Sequence, residues 1–196
     1  MSPFAGLLLA AGLALGGGPE PQSIDGKGEF DMKAQFVGKA CTFVDWPAAS
    51  EVNDATKPFV LGLLGGTQNT WGDPLEDPLA RALKATFATG QIKGKRVLVK
   101  ALRISPEIIA CHALYVLPSY KLHMPLLRTV SQKKNILLFG ASPGFADLGI
   151  HINLTVVSQR VRFEVNESSF RGSGLKIDSL LLKHALVVKQ GEVAHD

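Results

Sequence analysis

The sequence predicts an α/β fold: one domain with a mixed, mainly parallel sheet flanked by helices, and a C-terminal antiparallel hairpin. Three observations predict it. Short, continuously apolar runs recur along the chain ("FVLGLL", "RVLVKAL", "HALYVLP", "NILLFG"), the pattern of strands covered on both faces. Segments with apolar steps of three and four precede or separate them, the pattern of amphipathic helices. One stretch, "HINLTVVSQRVRFEVN" at 151–166, alternates apolar and polar residues in both halves, the pattern of a half-buried hairpin.

The chain has 196 residues, which suits one domain able to bury a core without metals or many disulfides. Its formal net charge of +4 is a mild basic bias. Lys93, Lys95, Arg96, Lys100 and Arg103 read as a solvated basic face. No aromatic residues interleave with them to stack bases, so a nucleic-acid partner is not expected.

The chain opens "MSPFAGLLLAAGLALGGGPEP". The apolar run from Phe4 to Leu15 is too short to span a bilayer and fits the centre of an export signal. No Lys or Arg precedes it, so only the amino terminus supplies positive charge. The expected division is a signal peptide at 1–18 and the α/β domain at 29–190.

From Glu29 to Asp45, Met32, Phe36, Val37, Ala40, Phe43 and Val44 form one apolar stripe, a helix that Trp46-Pro47 ends. "PFVLGLLGG" (58–66) is a buried strand that leads into a Gly/Thr/Gln/Asn loop containing Trp71. A helix follows with Pro78 at its first position. Strands are expected at 96–102, 112–118 and 135–140, with a helix from Ser119 to Val130 that Pro125 kinks. "ASPGFADLG" is a turn, and the hairpin follows it. With Ser158-Gln159 as its turn, Ile152 faces Val165, Leu154 faces Phe163 and Val156 faces Val161. The other face pairs Asn153 with Glu164, Thr155 with Arg162 and Val157 with Arg160. "NESSFRGSG" is a short helix stopped by glycine, and Asp178 caps a last helix carrying Leu181, Leu182, Ala185 and Val188.

Motifs for chemistry are sparse. The Gly-rich loop is neither G-x-x-x-x-G-K-[ST] nor G-x-G-x-x-G; it reads either as a small-ligand pocket or as a plain strand-to-helix connection. The five histidines include no H-x-x-x-H and neither cysteine has a C-x-x-C partner, so no zinc site is expected. There is no G-x-S-x-G, and Cys111-His112, adjacent on a strand, point to opposite faces. No cofactor and no catalysis are expected. Cys41 and Cys111 can pair in an oxidising compartment or sit apart as small buried hydrophobes. Trp46, Trp71 and Phe145 read as core or lid residues, or as partner anchors.

Several stretches together resemble the YfiR family of periplasmic regulatory proteins. "KAQFVGKACTFVDWP" is similar to that family's opening helix, "FVLGLLGG…WGDPL" to its first strand and loop, and "ACHALYV" to its C-H-[IL]-[LV] strand. The strongest likeness is "PGFADLGIHINLTVVSQRVRFEVNESSFRGSGLKIDSLLLKHA" (143–185). Asp178 stands where the family often has serine, Cys41 falls outside its pattern, and the loop between Gly65 and Trp71 is longer than usual.

The resemblance implies a periplasmic, non-catalytic role: binding the periplasmic domain of an inner-membrane sensor, a diguanylate cyclase or a histidine kinase, and repressing or modulating its signal. It also implies frequent dimers, a disulfide, control of cyclic di-GMP and biofilm, and a response to peptidoglycan or a small envelope metabolite. By matched position Trp46 and Phe145 would contact the partner. Arg162 and Glu164, with Asn153 beside them and Trp71 in the loop, would bind ligand. The residues alone leave the polar face of the hairpin open, as a binding strip or as a self-satisfied surface lattice. A periplasmic small-molecule binding module, with its pocket at the Gly-rich loop, is the second reading. An unrecognised hydrolase is the third.

Overall fold

The apolar runs pair side by side in the computed structural model, which describes residues 26–65, 78–157 and 160–188. The strands are β1 (Val44–Asp45), β2 (Phe59–Leu64), β3 (Gln91–Ile92), β4 (Lys95–Leu102), β5 (Ala113–Val116), β6 (Leu137–Gly140), β7 (Ile152–Val157), β8 (Arg160–Asn166), β9 (Lys176–Ile177) and β10 (Leu186–Val188). Among the described residues eight of them form one sheet in the order β10-β8-β7-β6-β5-β2-β4-β3, and β1 pairs with β9 in a separate antiparallel sheet. The pairs β4-β2-β5-β6-β7 are all parallel, as are β8 and β10; β7-β8 and β3-β4 are antiparallel. The path runs from β2 out to β4, then back across β2 to β5, β6 and β7. The reversal places a topological switch point between β2 and β5.

Alternation along the strands divides the core in two. Phe59, Leu61 and Leu63 of β2, with Ala113, Tyr115, Leu137 and Phe139, face helices α1 (Gly26–Thr42) and α2 (Pro78–Phe87). Leu64, Leu114, Val116 and Leu138 face the other way, onto helix α3 (Met124–Lys134) and Phe145. The hairpin has the register its alternation predicts, from Ile152↔Val165 to Val157↔Arg160. Ile152, Leu154, Phe163 and Val165 are core residues. Residues 158–159, the expected turn, lie outside the described residues, as do the expected signal at 1–18 and positions 189–190 of the domain.

Four local expectations are corrected. The first helix ends at Thr42, because Val44 and Asp45 pair with Ile177 and Lys176. The stretch from Ser119 is a 3-10 turn (Pro118–His123), and α3 begins at Met124; Pro125 opens that helix rather than kinking it. The last helix is a single turn, α5 (Ser179–Leu182), capped by Asp178 as expected, after which Leu186–Val188 joins β8 as a parallel edge strand. Lys95 is not on a solvated face: it is buried, and its Nζ donates to the backbone oxygens of Glu51 and Asp54.

Of the two readings open for Cys41 and Cys111, the structure has the second, two buried side chains with no bridge. Both are free and buried. Cys41, on α1, packs in the core on one face of the sheet, and Cys111 packs in the core on the other. Burial raises both thiols well above the ordinary range, Cys111 to about 11.

Two histidines extend the ladder with their side chains. His112 donates its backbone N–H to Val60 O at 2.9 Å, while its Nδ1 accepts the Val60 N–H at 2.8 Å. His151 repeats the arrangement on Leu138, at 3.1 and 3.2 Å. The far nitrogen of His151, Nε2, meets Ser173 Oγ at 2.9 Å, and that hydroxyl donates to Phe170 O. Each Nδ1 acts as an acceptor, so both rings are held neutral with the proton on Nε2.

Thiol titration in denaturant without reductant is expected to find two reactive thiols per chain; finding none would show a bridge. A second expectation concerns acid. Burial pushes His151 down to about 3, below the roughly 6.5 of an unfolded histidine. Between those values the unfolded state binds the extra proton. The contribution is therefore fully present above about pH 6.5 and lost as pH falls toward 3, by up to about 1.4 kcal/mol per pH unit. His151→Asn keeps an acceptor near the Nδ1 position without a titrating ring, and is expected to flatten that slope in urea melts between pH 7 and 4.

Candidate functional site

The polar face of the hairpin is split by burial. Asn153 is wholly buried and wholly used. Its Oδ1 accepts the Ser142 N–H at 3.2 Å, and its Nδ2 donates to Ser142 O at 2.9 Å and to Glu164 Oε2 at 2.8 Å. It is a clamp on the turn after β6. Glu164 is half-buried against it, Thr155 is half-buried, and Arg162 is exposed with no ion pair among the described residues. Arg162 and Glu164 therefore share a face and stay available to solvent, while Asn153 does not. Trp71 lies outside the described residues.

A second buried asparagine completes the clamp. Asn166 caps helix α4 (Glu167–Ser173) by accepting the Ser169 N–H at 2.9 Å, and its Nδ2 donates to Ala146 O at 2.7 Å. Ser169 Oγ donates to Gly149 O at 3.0 Å. Phe145 plugs the turn from below and is 1% exposed. It lies so close to Gly140 that a Cβ there would sit 2.8 Å from the ring. Much of the "PGFADLG…N…N" pattern is thus a device for closing one turn.

Trp46 and Phe145, expected to contact a partner, are both core side chains. Trp46 stands edge-on to Phe59 at 5.7 Å with the Lys93 ammonium over its ring, and is 7% exposed. In this conformation neither offers an apolar surface to another protein. The exposed apolar groups lie elsewhere. A groove of about 720 Å³ between α3 and the 145–149 turn is lined by Leu122, Pro125 and Leu148, with Lys121, Arg128 and Asp147 at its rim. Leu122 is 90% exposed and Leu148 39%. Sequence reasoning missed Leu122 because a leucine inside the helix expected from Ser119 to Val130 reads as core, whereas it falls in the 3-10 turn before α3.

His112 and His151 were also missed as structural groups. The signal available was position, since each stands immediately before an apolar strand run. Among the described residues no cluster of His, Cys, Asp and Glu could hold a metal, and no helix is long and apolar enough to cross a membrane.

Asn153→Ala is expected to cost about 1–2 kcal/mol, because it leaves the half-buried Ser142 N–H without its acceptor, while Ser142 O keeps the Phe145 N–H. Arg162→Ala is expected to stay within about 0.5 kcal/mol. Chemical denaturation of the two variants beside the unmodified protein measures both.

The fold has distant likenesses among solved structures. A conserved-domain protein of Vibrio cholerae O1 biovar El Tor superposes with a TM-score of 0.53 at 11% identity, over 81% of this chain and 59% of that one. The ligand-free, open form of CD0873, a substrate-binding protein with adhesive properties from Clostridium difficile, superposes with a TM-score of 0.50 at 16% identity, over 72% and 58%. The chain thus spans about three fifths of the length of the solved chains it matches, and at these identities the likeness concerns the fold alone. Comparison with curated proteins finds no match. A family model described as YfiR/HmsC-like matches residues 30–186, which takes in both cores, the clamped turn and the hairpin. The chain belongs to the YfiR/HmsC-like family.

Proposed function

We propose that the protein is an exported, non-catalytic regulator that binds the periplasmic domain of an inner-membrane sensor, a diguanylate cyclase or a histidine kinase, and lowers its signalling. Membership of the YfiR/HmsC-like family supports a periplasmic regulatory role. The observation that carries the binding surface is the groove beside α3. It presents Leu122 and Leu148 to solvent within a rim bearing two cations and one carboxylate. Exposed apolar side chains ringed by polar groups are the ordinary make-up of a protein contact. Regulation then follows from preference: a protein that binds one state of a sensor more tightly shifts the population toward that state.

The strip on the hairpin supports a second element of the same reading. Arg162 is a solvent-facing cation with no ion pair among the described residues, two positions from the half-buried Glu164 carboxylate. A guanidinium beside a carboxylate suits a ligand carrying both acid and hydroxyl groups, such as a peptidoglycan fragment or a small envelope metabolite. The solute-receptor alternative has weaker support, since the likeness to CD0873 is one of fold and Trp71 with its loop lies outside the described residues.

Deleting the gene in its own host is expected to raise cyclic di-GMP, or to change phosphorylation of the partner kinase. The wild-type chain is expected to reverse the effect. Leu122→Asp combined with Leu148→Asp is expected to remain folded, with a thermal midpoint within a few degrees, and to fail to reverse it. Unaltered cyclic di-GMP together with unaltered kinase phosphorylation on deletion would overturn the reading.

A further inference from the structure

A second hollow, of about 460 Å³, lies at the opposite, amino edge of the sheet and is lined by Ser50, Glu51, Ile109, His112, Lys133 and Lys134 among others. Its floor carries a donor with no hydrogen-bond partner among the described residues. His112 is 8% exposed. Its Nδ1 accepts the Val60 N–H at 2.8 Å, so the proton of the neutral ring sits on Nε2. Burial first, and the nearby Lys95 charge second, hold the ring below its ordinary pKa, which keeps it in that neutral form. Among the described residues no hydrogen bond to Nε2 is formed. His151, built the same way onto its own strand, gives its Nε2 to Ser173 Oγ. The His112 ring instead borders the hollow, where a bound molecule can supply the acceptor that the protein does not.

The charges around it favour one sign. Lys133 and Lys134 are exposed and form no ion pair among the described residues. Lys95 adds a buried ammonium behind the wall, held by the oxygens of Glu51 and Asp54. Glu51 is already answered by Lys57 at 2.7 Å, which holds its carboxyl below the usual range. Ser50 Oγ accepts the Val52 N–H and keeps its own proton to give. Ile109 supplies an exposed apolar side to the hollow. The volume lies within the range of small-ligand sites, about 300–1,000 Å³.

We infer that this hollow binds a small organic anion, a carboxylate or a phosphate ester, with His112 Nε2–H as the fixed donor and Lys133 and Lys134 as the countercharges. The lysine ammonium is a point charge that accepts either anion without the fork geometry of arginine. The site shares no lining residue with the groove beside α3, so its failure leaves the regulatory reading untouched, and the reverse holds too.

The test is a side-chain nitrogen-15 NMR titration of the mature protein with inorganic phosphate and separately with glutarate, at constant ionic strength set with sodium chloride. A saturable shift of His112 Nε2 with at least one of the two anions is expected, and phosphate or glutarate alone would identify the class. Lys133→Ala combined with Lys134→Ala alters only exposed side chains. It is expected to weaken binding roughly tenfold or more, the scale of a lost charge-assisted contact. His112→Asn keeps an acceptor for the Val60 N–H while removing Nε2, and calorimetric titration is expected to show binding abolished. No saturable shift with either anion, an equal response to chloride, or full affinity in the double lysine variant would overturn the proposal.

Discussion

The constraint on which much of the second core depends is the return of the chain from β6 to β7. The two strands are parallel neighbours, with Gly140 beside Asn153. The connection therefore leaves the strand and comes back alongside it within residues 141–151, without a crossover helix. Parallel neighbours ordinarily need a longer connection. The inner part of that loop, around Phe145, Ala146, Gly149 and Ile150, is buried away from water, and its backbone groups must find partners. Asn153 supplies both an acceptor and a donor to Ser142, Asn166 takes Ala146 O, and Ser169 takes Gly149 O. Phe145 fills the space beneath. These contacts tie the hairpin to the body of the sheet and seat α4 at its end.

That accounting separates scaffold from surface. The asparagines and aromatics that look functional by type are consumed inside. Asn153 spends its amide on a turn, Trp46 packs against Phe59, and Phe145 closes a core. The groups left to the solvent are plainer: Arg162 on β8, Leu122 and Leu148 beside α3, and the lysines at the end of α3. A regulator that works by contact needs such a surface on a rigid frame, and the parallel sheet with a core on each face supplies the frame.

Legibility in the sequence followed the strength of the local signal. The hairpin register could be read because period-two alternation leaves only one pairing that buries Leu154 against Phe163. Pro78 announced the start of α2, and Asp178 the start of α5. The end of the chain was misread for a physical reason. Leu181, Leu182, Ala185 and Val188 satisfy a helical period, yet the open edge of β8 offers unpaired backbone groups that a strand can satisfy, and Leu186–Val188 took that place. In the same way Val44 and Asp45 left the helix because Ile177 and Lys176 were there to pair with.

By itself the sequence determined the α/β class, most of the strands and the inward face of the hairpin, because continuous apolar runs and strict alternation bury efficiently in only one way. It also carried the family signature in residue order. Tertiary structure alone decided which polar residues are free. Asn153 and Glu164 have the same spacing logic on paper, but only the packed turn after β6 shows that one is a buried clamp and the other half open to water. The cysteines make the same point: both are apolar by burial, and only the sheet lying between them keeps them apart. Which polar side chain finds a buried partner depends on contacts between distant segments, and the local pattern of the chain does not encode those.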